Sequence, residues 1–129
     1  MLDGFPFESN YTDLIIADLS LHYFKEADTF KILNEIKRVL KPNGHLIFRV
    51  NAIEDKNFGS TKDTEEIEPH LYLYNNEMLK RFFDEEDIYY FFKNFKIVSL
   101  KKDSIMKYNN IKNQTLQKNM YKVCVKNTI

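Results

Sequence analysis

The chain has 129 residues, which suits a single domain, and 43% of them are hydrophobic, enough for a folded core. Its 19 basic and 19 acidic residues cancel to a formal net charge of zero, so overall charge gives no argument for a nucleic-acid or membrane partner. No signal peptide is readable in the first twenty residues, and no apolar run approaches the roughly 20 residues that cross a bilayer. The only cysteine, Cys124, cannot form an internal disulfide, so we expect a cytoplasmic protein.

The first half of the chain predicts a strand, a helix and a second strand. The apolar run Asp13–Asp18 is typical of a strand buried on both faces of a parallel sheet. A helix is predicted from Asp28, as its N-cap, to Leu40, because apolar residues recur at spacings of three and four. A tight turn at residues 41–44 ends this helix, and His45–Val50 is the second predicted strand. This order predicts a βαβ unit with adjacent parallel strands.

The second half predicts a long loop, one helix and two strands. Residues Asn51–Asn76 are polar and lack a clear period, so we expect a lid, a binding loop or a disordered segment. A helix is predicted over Glu85–Lys93, with Asp84 as its cap. Strands are predicted at Phe95–Leu100 and, from its alternating pattern, at Met120–Lys126. The Asn- and Lys-rich stretch between these strands is expected to form a long loop or a frayed hairpin.

Four short segments, taken together, resemble a known family pattern. The most specific is Glu35–Gly44, in which a helix ends in an Arg-Val-Leu-Lys-Pro turn at a fixed distance after an apolar strand. The others are Phe5-Pro6-Phe7, Thr12–Ala17 and Leu21-His22-Tyr23. This pattern resembles class I S-adenosylmethionine-dependent methyltransferases. The resemblance implies an α/β, partial Rossmann-like methyltransferase fold over residues 1–129. Its mixed sheet would have about four strands (family strands 4, 5, 7 and 6) and flanking helices.

The resemblance implies S-adenosylmethionine as the cofactor, but the sequence lacks the family's means of holding it. The family binds the methionine end on a glycine-rich turn after its first strand, where backbone amides approach the ligand closely. On the family pattern this sequence would begin just before the fourth strand, and its only glycines are Gly4, Gly44 and Gly59. We therefore expect weak or absent cofactor binding, and a methyltransferase fragment that transfers a methyl group only when an N-terminal half completes it.

The implied cofactor contacts lie where the first predicted strand ends. Asp18, Leu19 and Ser20 follow that strand, at the edge where α/β sheets bind their ligands. Asp18 is predicted to bind the cofactor's ammonium group or to orient an acceptor amine, and its alternative role is to cap a following helix. Asp3 is a further cofactor-binding candidate, although the family's polar adenine contact usually lies further upstream.

The residues of the implied acceptor site lie at or just after the ends of the two predicted strands, Asp13–Asp18 and His45–Val50. His22 is the candidate catalytic base because the ordinary pKa of histidine lies near neutrality, and packing at the start of a helix is an equal alternative. Tyr23, Arg49 and Asn51 are predicted to border the acceptor, whose identity the sequence does not give. For Arg49, a salt bridge to the acidic loop is at least as well supported. Glu65, Glu66, Glu68 and His70 show no recognised metal spacing, and we expect no metal.

Partners are predicted from the strand Asp13–Asp18. If it forms the edge of the sheet, its apolar residues predict a homodimer through that edge. The main alternative to a methyltransferase fragment is a non-catalytic, methyltransferase-like protein-interaction module. A small RNA-binding protein is a weaker alternative. Nine lysines and one acid lie between residues 93 and 129, but only Tyr108 and Tyr121 are interleaved with those lysines.

Overall fold

The computed structural model describes residues 4–55, 64–75, 78–109 and 114–128, and within them a four-stranded sheet, a three-stranded sheet and two α-helices. The elements in chain order are β1 (Thr12–Asp18), α1 (Glu26–Val39), β2 (Leu40–Asn51), β3 (Glu65–Glu68), β4 (Leu71–Tyr74), β5 (Met78–Arg81), α2 (Glu85–Phe91), β6 (Phe95–Asn109) and β7 (Gln114–Asn127). A short 3-10 turn, Ile53–Asp55, follows β2.

The main sheet has the strand order β1-β2-β7-β6. β1 and β2 are parallel and adjacent, with Ile15 opposite Leu46 and Asp18 opposite Arg49. β7 is antiparallel to both β2 and β6. The predicted βαβ unit and the predicted mixed sheet are therefore confirmed. Because β1 and β2 run in the same direction, their carboxyl ends meet at one edge of the sheet.

Both helices pack on one face of the main sheet, which we call the covered face. The sheet contributes these buried residues to it: Leu46, Phe48, Val50, Val123 and Val125. α1 contributes Ile32, Leu33 and Ile36, and Phe92, directly after α2, stacks on Phe48 with 4.3 Å between ring centroids. Burial of this kind is the main source of stability, at about 1.5–3 kcal/mol for each large apolar side chain.

The opposite, open face corrects the prediction that β1 is buried on both faces. Leu14 and Ile16 point to the open face, where their side chains are 46% and 66% exposed. Ile47 and Cys124 continue the same row on β2 and β7 and are half-buried. In the part of the chain that the structure describes, neither helix packs there. A run of aliphatic residues shows that a strand can be buried on both faces, but not which faces another element covers.

The boundaries of α1 and β2 also differ from the prediction. α1 begins at Glu26 rather than Asp28, because Thr29 donates its backbone N–H to the carbonyl of Lys25, and Glu68 of β3 accepts from the N–H of Glu26 at 3.0 Å. The predicted turn at residues 41–44 bulges out of β2, between the partners of Thr12 and Leu14. Glu68, which accepts from the first residue of α1, lies 42 residues away in the chain. Local capping signals therefore could not locate the start of this helix.

The described part of Asn51–Asn76 is more ordered than the lid, binding loop or disordered segment that its composition predicts, and residues 56–63 and 76 lie outside the described residues. β3, β4 and β5 build an antiparallel three-stranded unit, which we call the small sheet. Each strand has only four residues, too few for alternation to show in the sequence. The small sheet is joined to β2 by hydrogen bonds from Phe83 N–H to Asn51 O at 2.8 Å and from Ile53 N–H to Phe83 O at 2.9 Å.

The last two strands are longer than predicted. The stretch expected as a loop or frayed hairpin forms regular arms of a β6–β7 hairpin, which pairs from Phe95 with Asn127 to Asn109 with Gln114. α2 ends at Phe91, two residues before its predicted end at Lys93, whereas its predicted cap is confirmed, since Asp84 accepts from the Asp87 N–H at 2.7 Å. The longer of the two described helices has 14 residues, and neither could span a membrane.

Candidate functional site

The candidate site lies at the carboxyl ends of β1 and β2, which we call the carboxyl edge. β1 ends at Asp18 and β2 at Asn51, and the parallel register places Asp18 directly opposite Arg49. Ligands of α/β sheets bind beyond such an edge, where loops leave the strands with their backbone groups unused by the sheet. Three of the implied contacts, Leu19, Ser20 and Tyr23, lie in the segment that follows β1 here.

Asp18 and Arg49 form an ion pair on the open face. Arg49 donates Nη2 to Asp18 Oδ2 at 2.7 Å and Nε to Asp18 Oδ1. The hydrogen bonds from Arg49 hold the pKa of Asp18 below its ordinary value, and those to Asp18 raise the pKa of Arg49. Asp18 caps no helix, because α1 begins eight residues later, and the described ion-pair partner of Arg49 is Asp18 rather than the acidic loop.

Leu19, Ser20 and Tyr23 form the turn that leaves β1. Leu19 has a positive φ of 53° and donates its N–H to Arg49 O at 3.0 Å, so it turns the chain away from the sheet. Ser20 is half-buried. The Tyr23 side chain is 42% exposed and its ring lies 4.4 Å from that of His22. Of these predicted contacts, Tyr23 is the most accessible to a molecule in solution.

His22 is buried, with 2% of its surface exposed. Its Nδ1 has no hydrogen-bond partner within the described residues. Burial is the main cause that lowers the pKa of His22 to about 4, and the charges of Lys118 and Lys80 lower it further. His22 is therefore uncharged at neutral pH. A general base works best with a pKa near the operating pH, so in this conformation His22 would be a weak and inaccessible base.

Asn51 is also buried, at 4% exposed. Its backbone carbonyl accepts from Phe83, two residues after β5, which ties the chain that leaves the small sheet to the end of β2. Of the predicted acceptor contacts, Tyr23 is open, Arg49 is engaged with Asp18, and Asn51 is enclosed.

Arg81 was not singled out from the sequence, yet it joins the small sheet to the segment after β1. Its side chain is 4% exposed, donates to Glu68 Oε2 at 3.0 Å and to Pro69 O at 3.2 Å, and lies over the Phe91 ring at 4.8 Å. Its backbone N–H donates to His22 O at 2.6 Å. The sequence around Arg81 gives no signal for this role, because every one of these partners lies ten or more residues away in the chain.

One group of possible metal ligands comes together next to α2. Single donor atoms of His70, Asp84 and Asp87 lie within 4.8 Å of one another. However, Asp87 Oδ2 already accepts from the Asp84 N–H at 3.1 Å and faces His70 Nδ1 at 2.5 Å, while Asp84 caps the helix. These contacts give the three side chains a structural role in joining β4 to α2.

The described residues fit S-adenosylmethionine only in part. Asp18 could attract an ammonium group, but no described glycine lies at the carboxyl edge. Gly44 lies at the amino end of β2, where a Cβ would be 2.9 Å from Lys41 O and 3.1 Å from Asp13 O, so close packing explains it. Gly4 lies beside Glu35, and Asp3 and Gly59 lie outside the described residues. Residues 4–55, 64–75, 78–109 and 114–128 therefore contain no glycine-rich turn that could bind the methionine end of the cofactor.

Comparison with known proteins agrees with this architecture. The methyltransferase-domain family matches residues 2–48, less than half of the chain. No curated protein matches it in sequence. Among solved structures, an S-adenosylmethionine-dependent methyltransferase from Methanosarcina mazei aligns with a TM-score of 0.77 at 12% identity, over 100% of this chain and 65% of its own.

Two further solved structures are similar. A Clostridium acetobutylicum S-adenosylmethionine-dependent methyltransferase aligns with a TM-score of 0.60 at 20% identity, over 93% of this chain and 60% of its own. A Burkholderia thailandensis 1,6-didemethyltoxoflavin-N1-methyltransferase, solved with S-adenosylhomocysteine, aligns with a TM-score of 0.62 at 17% identity, over 94% of this chain and 46% of its own. The chain thus spans less than two thirds of each of the three structures, and likeness at such identities shows the fold alone.

Proposed function

The chain has the fold of the class I S-adenosylmethionine-dependent methyltransferases, and on this premise we propose that it supplies the acceptor-facing part of a methyltransferase site. In this proposal the methyl group is transferred only when a glycine-rich segment completes the cofactor site. The observation that carries the proposal is the position of Asp18, Leu19 and Ser20 at the carboxyl edge, where sheets of this class bind ligands.

The cofactor side of the proposal rests on Asp18. Its carboxylate is charged and half-exposed, so it can attract the positive end of a ligand, although it must share its charge with Arg49. Leu19 and Ser20 would border the same ligand through the turn. A single shared carboxylate is a small part of the contacts that a cofactor of this size needs, so weak binding by these residues is part of the proposal.

The acceptor side rests on Tyr23, Arg49 and Asn51, with His22 as the proposed base. Tyr23 is open to solvent, whereas His22 and Asn51 are buried. An acceptor that loses a proton on methylation would therefore need a local opening of the structure before His22 could take that proton. The identity of the acceptor is left open, and a cytoplasmic location remains a proposal that rests on the sequence.

A second candidate function is a non-catalytic interaction module. The exposed aliphatic residues of β1 favour it, because large open apolar surfaces commonly mark protein-binding sites. The RNA-binding alternative is weaker, since Tyr121 is 6% exposed and cannot stack on a base without unfolding the hairpin.

Nuclear magnetic resonance can locate the proposed site directly. We expect S-adenosylhomocysteine at about 1–10 mM to shift the backbone amides of residues 18–23 and 49–51, with an apparent Kd in the millimolar range. Asp18→Asn should weaken this binding, whereas Lys126→Gln, on the same open face but opposite His45 near the amino end of β2, should not.

Two outcomes would count against a methyltransferase site at this edge. One is the absence of any shift at about 10 mM ligand. The other is a set of shifts confined to the shallow hollow on the open face, of about 260 Å³, between Ile47, Ser99 and Cys124.

A further inference from the structure

β1 is an edge strand with apolar side chains open to solvent. β2 pairs with one side of it, and no described strand pairs with the other. Leu14 and Ile16 are 46% and 66% exposed. Phe7 and Tyr11, stacked 4.9 Å apart, line an apolar hollow of about 330 Å³ at the amino end of β1. An open edge beside open apolar side chains is a template for pairing with another strand.

The opposite edge of the sheet is protected. β6 carries the exposed lysines Lys96, Lys101 and Lys102. Charged side chains, lysine above all, prevent edge-to-edge association in natural sheets. β6 also exposes apolar side chains, such as Val98 and Met106, but these alternate with lysines along the strand. The only charged residues of β1 are the acids Asp13 and Asp18, which already face Lys41 and Arg49, so β1 is the less protected edge.

The direction of the free backbone groups on β1 can be deduced. Leu19 donates its N–H to Arg49 O, so odd-numbered residues of β1 direct their backbone groups towards β2. Backbone groups alternate in direction along a strand. Leu14, Ile16 and Asp18 therefore present their N–H and C=O groups outwards, at the free edge. The Thr12 hydroxyl bonds to both groups of Leu14, at 3.4 Å from its nitrogen and 3.2 Å from its oxygen, so pairing with another strand must displace these two contacts.

We propose that β1 of a second copy of this chain pairs antiparallel with β1 across a twofold axis at Ile15. Each Leu14 then lies opposite the partner's Ile16 in a hydrogen-bonded pair, and the arrangement occurs twice. The two open faces lie on the same side, so the exposed aliphatic residues of both copies bury one another. The result is one continuous sheet of eight strands built from two four-stranded halves.

The charges select this register over its neighbour. With Ile15 on the axis, Asp18 lies opposite the partner's Thr12. The Thr12 hydroxyl donates to the Leu14 carbonyl in the single chain, and it would be released to donate to the carboxylate when Leu14 pairs across the axis. With Ile16 on the axis, Leu14 would instead lie opposite the partner's Asp18, which places a carboxylate against an aliphatic side chain. The same geometry brings Leu19 opposite the partner's Tyr11, beside the apolar hollow. The strand therefore matches a second copy of itself in hydrogen bonding, apolar contact and charge.

The proposal of this dimer does not rest on the proposed methyltransferase activity. A glycine-rich segment laid along β1 would compete with it for the same edge, so we assign the dimer to the chain without such a segment. Oligomeric state is measured without ligand, and cofactor binding is read at the carboxyl edge, so either proposal can fail while the other holds.

Sedimentation and light scattering test the dimer. We expect the wild-type chain to be dimeric at about 50 µM, and Ile16→Lys to raise the dimer Kd at least about tenfold. Met106→Lys is the matched control, because Met106 has the same 66% exposure but lies on β6. A monomeric wild type, or a dimer weakened by Met106→Lys and not by Ile16→Lys, would overturn the proposal.

A charge-swap variant tests the register and covers the case in which Ile16→Lys fails to fold. In the double variant Leu14→Glu, Ile16→Lys, each new lysine lies opposite the partner's new glutamate, so dimerisation should recover to within about tenfold of the wild type. If the axis lay at Ile16, the two lysines would face each other and the double variant would dimerise no better than Ile16→Lys. That result would exclude the Ile15 register.

Discussion

Arg81→Met is expected to lower the free energy of unfolding by about 2–3 kcal/mol, because it removes the charged hydrogen bond from the buried Arg81 side chain to Glu68, whose side chain is 29% exposed. The carbonyls of Phe24 and Pro69 lose donors in the same change. Since these contacts join the small sheet to the segment after β1, we also expect faster amide exchange at Arg81 and Phe83. Urea unfolding followed by circular dichroism measures the first effect, and hydrogen exchange measures the second.

The neighbouring Lys80→Met serves as the control for this change. Lys80 is half-buried and lies over the Tyr74 ring at 5.5 Å, a contact worth about 1 kcal/mol or less at such a position. If Arg81→Met lowered the free energy of unfolding no more than Lys80→Met does, Arg81 would not be the residue that holds the small sheet in place. The explanation of how the small sheet is joined to the segment after β1 would then fail.

Acid is expected to destabilise the protein through His22. Burial, with help from Lys118 and Lys80, lowers the pKa of His22 to about 4 in the folded chain, while the unfolded chain titrates near the ordinary value of 6.5. Between these values the unfolded state binds a proton that the folded state does not, so stability falls as the pH falls. Relative to a variant without this group, the loss from about pH 7 to about pH 4.5 should reach about 2–3 kcal/mol.

Comparing His22→Gln with the wild type across this pH range isolates that contribution. The stability difference between the two proteins should shift in favour of the variant as the pH falls. His45→Gln, which removes a half-buried histidine from the amino end of β2, is the matched control. Parallel curves for the wild type and His22→Gln would show that His22 is not buried in its neutral form.

The β1–α1–β2 unit could be predicted because its signals are local. Apolar strands, a helical stripe and the turn at Gly44 all lie within 40 residues of one another, and the cap of α2 at Asp84 is equally local. The small sheet was missed because its strands have four residues each and depend on contacts such as Arg81 with Glu68. Glu68 also fixes the start of α1, which no nearby residue reveals.

The sequence predicted which residues lie at the candidate site, but not which of them contact one another. Asp18 and Arg49 were both singled out, but their pairing depends on the parallel register, which sequence alone does not fix. His22 and Asn51 are buried, and their carbonyls accept from Arg81 and Phe83, in and just after the small sheet that was missed. Such long-range contacts leave no local signal in the sequence. The roles assigned to these residues in binding and catalysis stay predictions.

Titration calorimetry with S-adenosylmethionine tests the central claim most directly. The claim is that this chain carries the methyltransferase fold and one side of the site, but not the contacts that hold the cofactor. Each charged hydrogen bond that is lacking is worth about 1.5–3 kcal/mol, so we predict a Kd of about 1 mM or weaker. The Methanosarcina mazei methyltransferase serves as the positive control. A micromolar Kd for the 129-residue chain would contradict the account, because its own residues would then suffice to hold the cofactor.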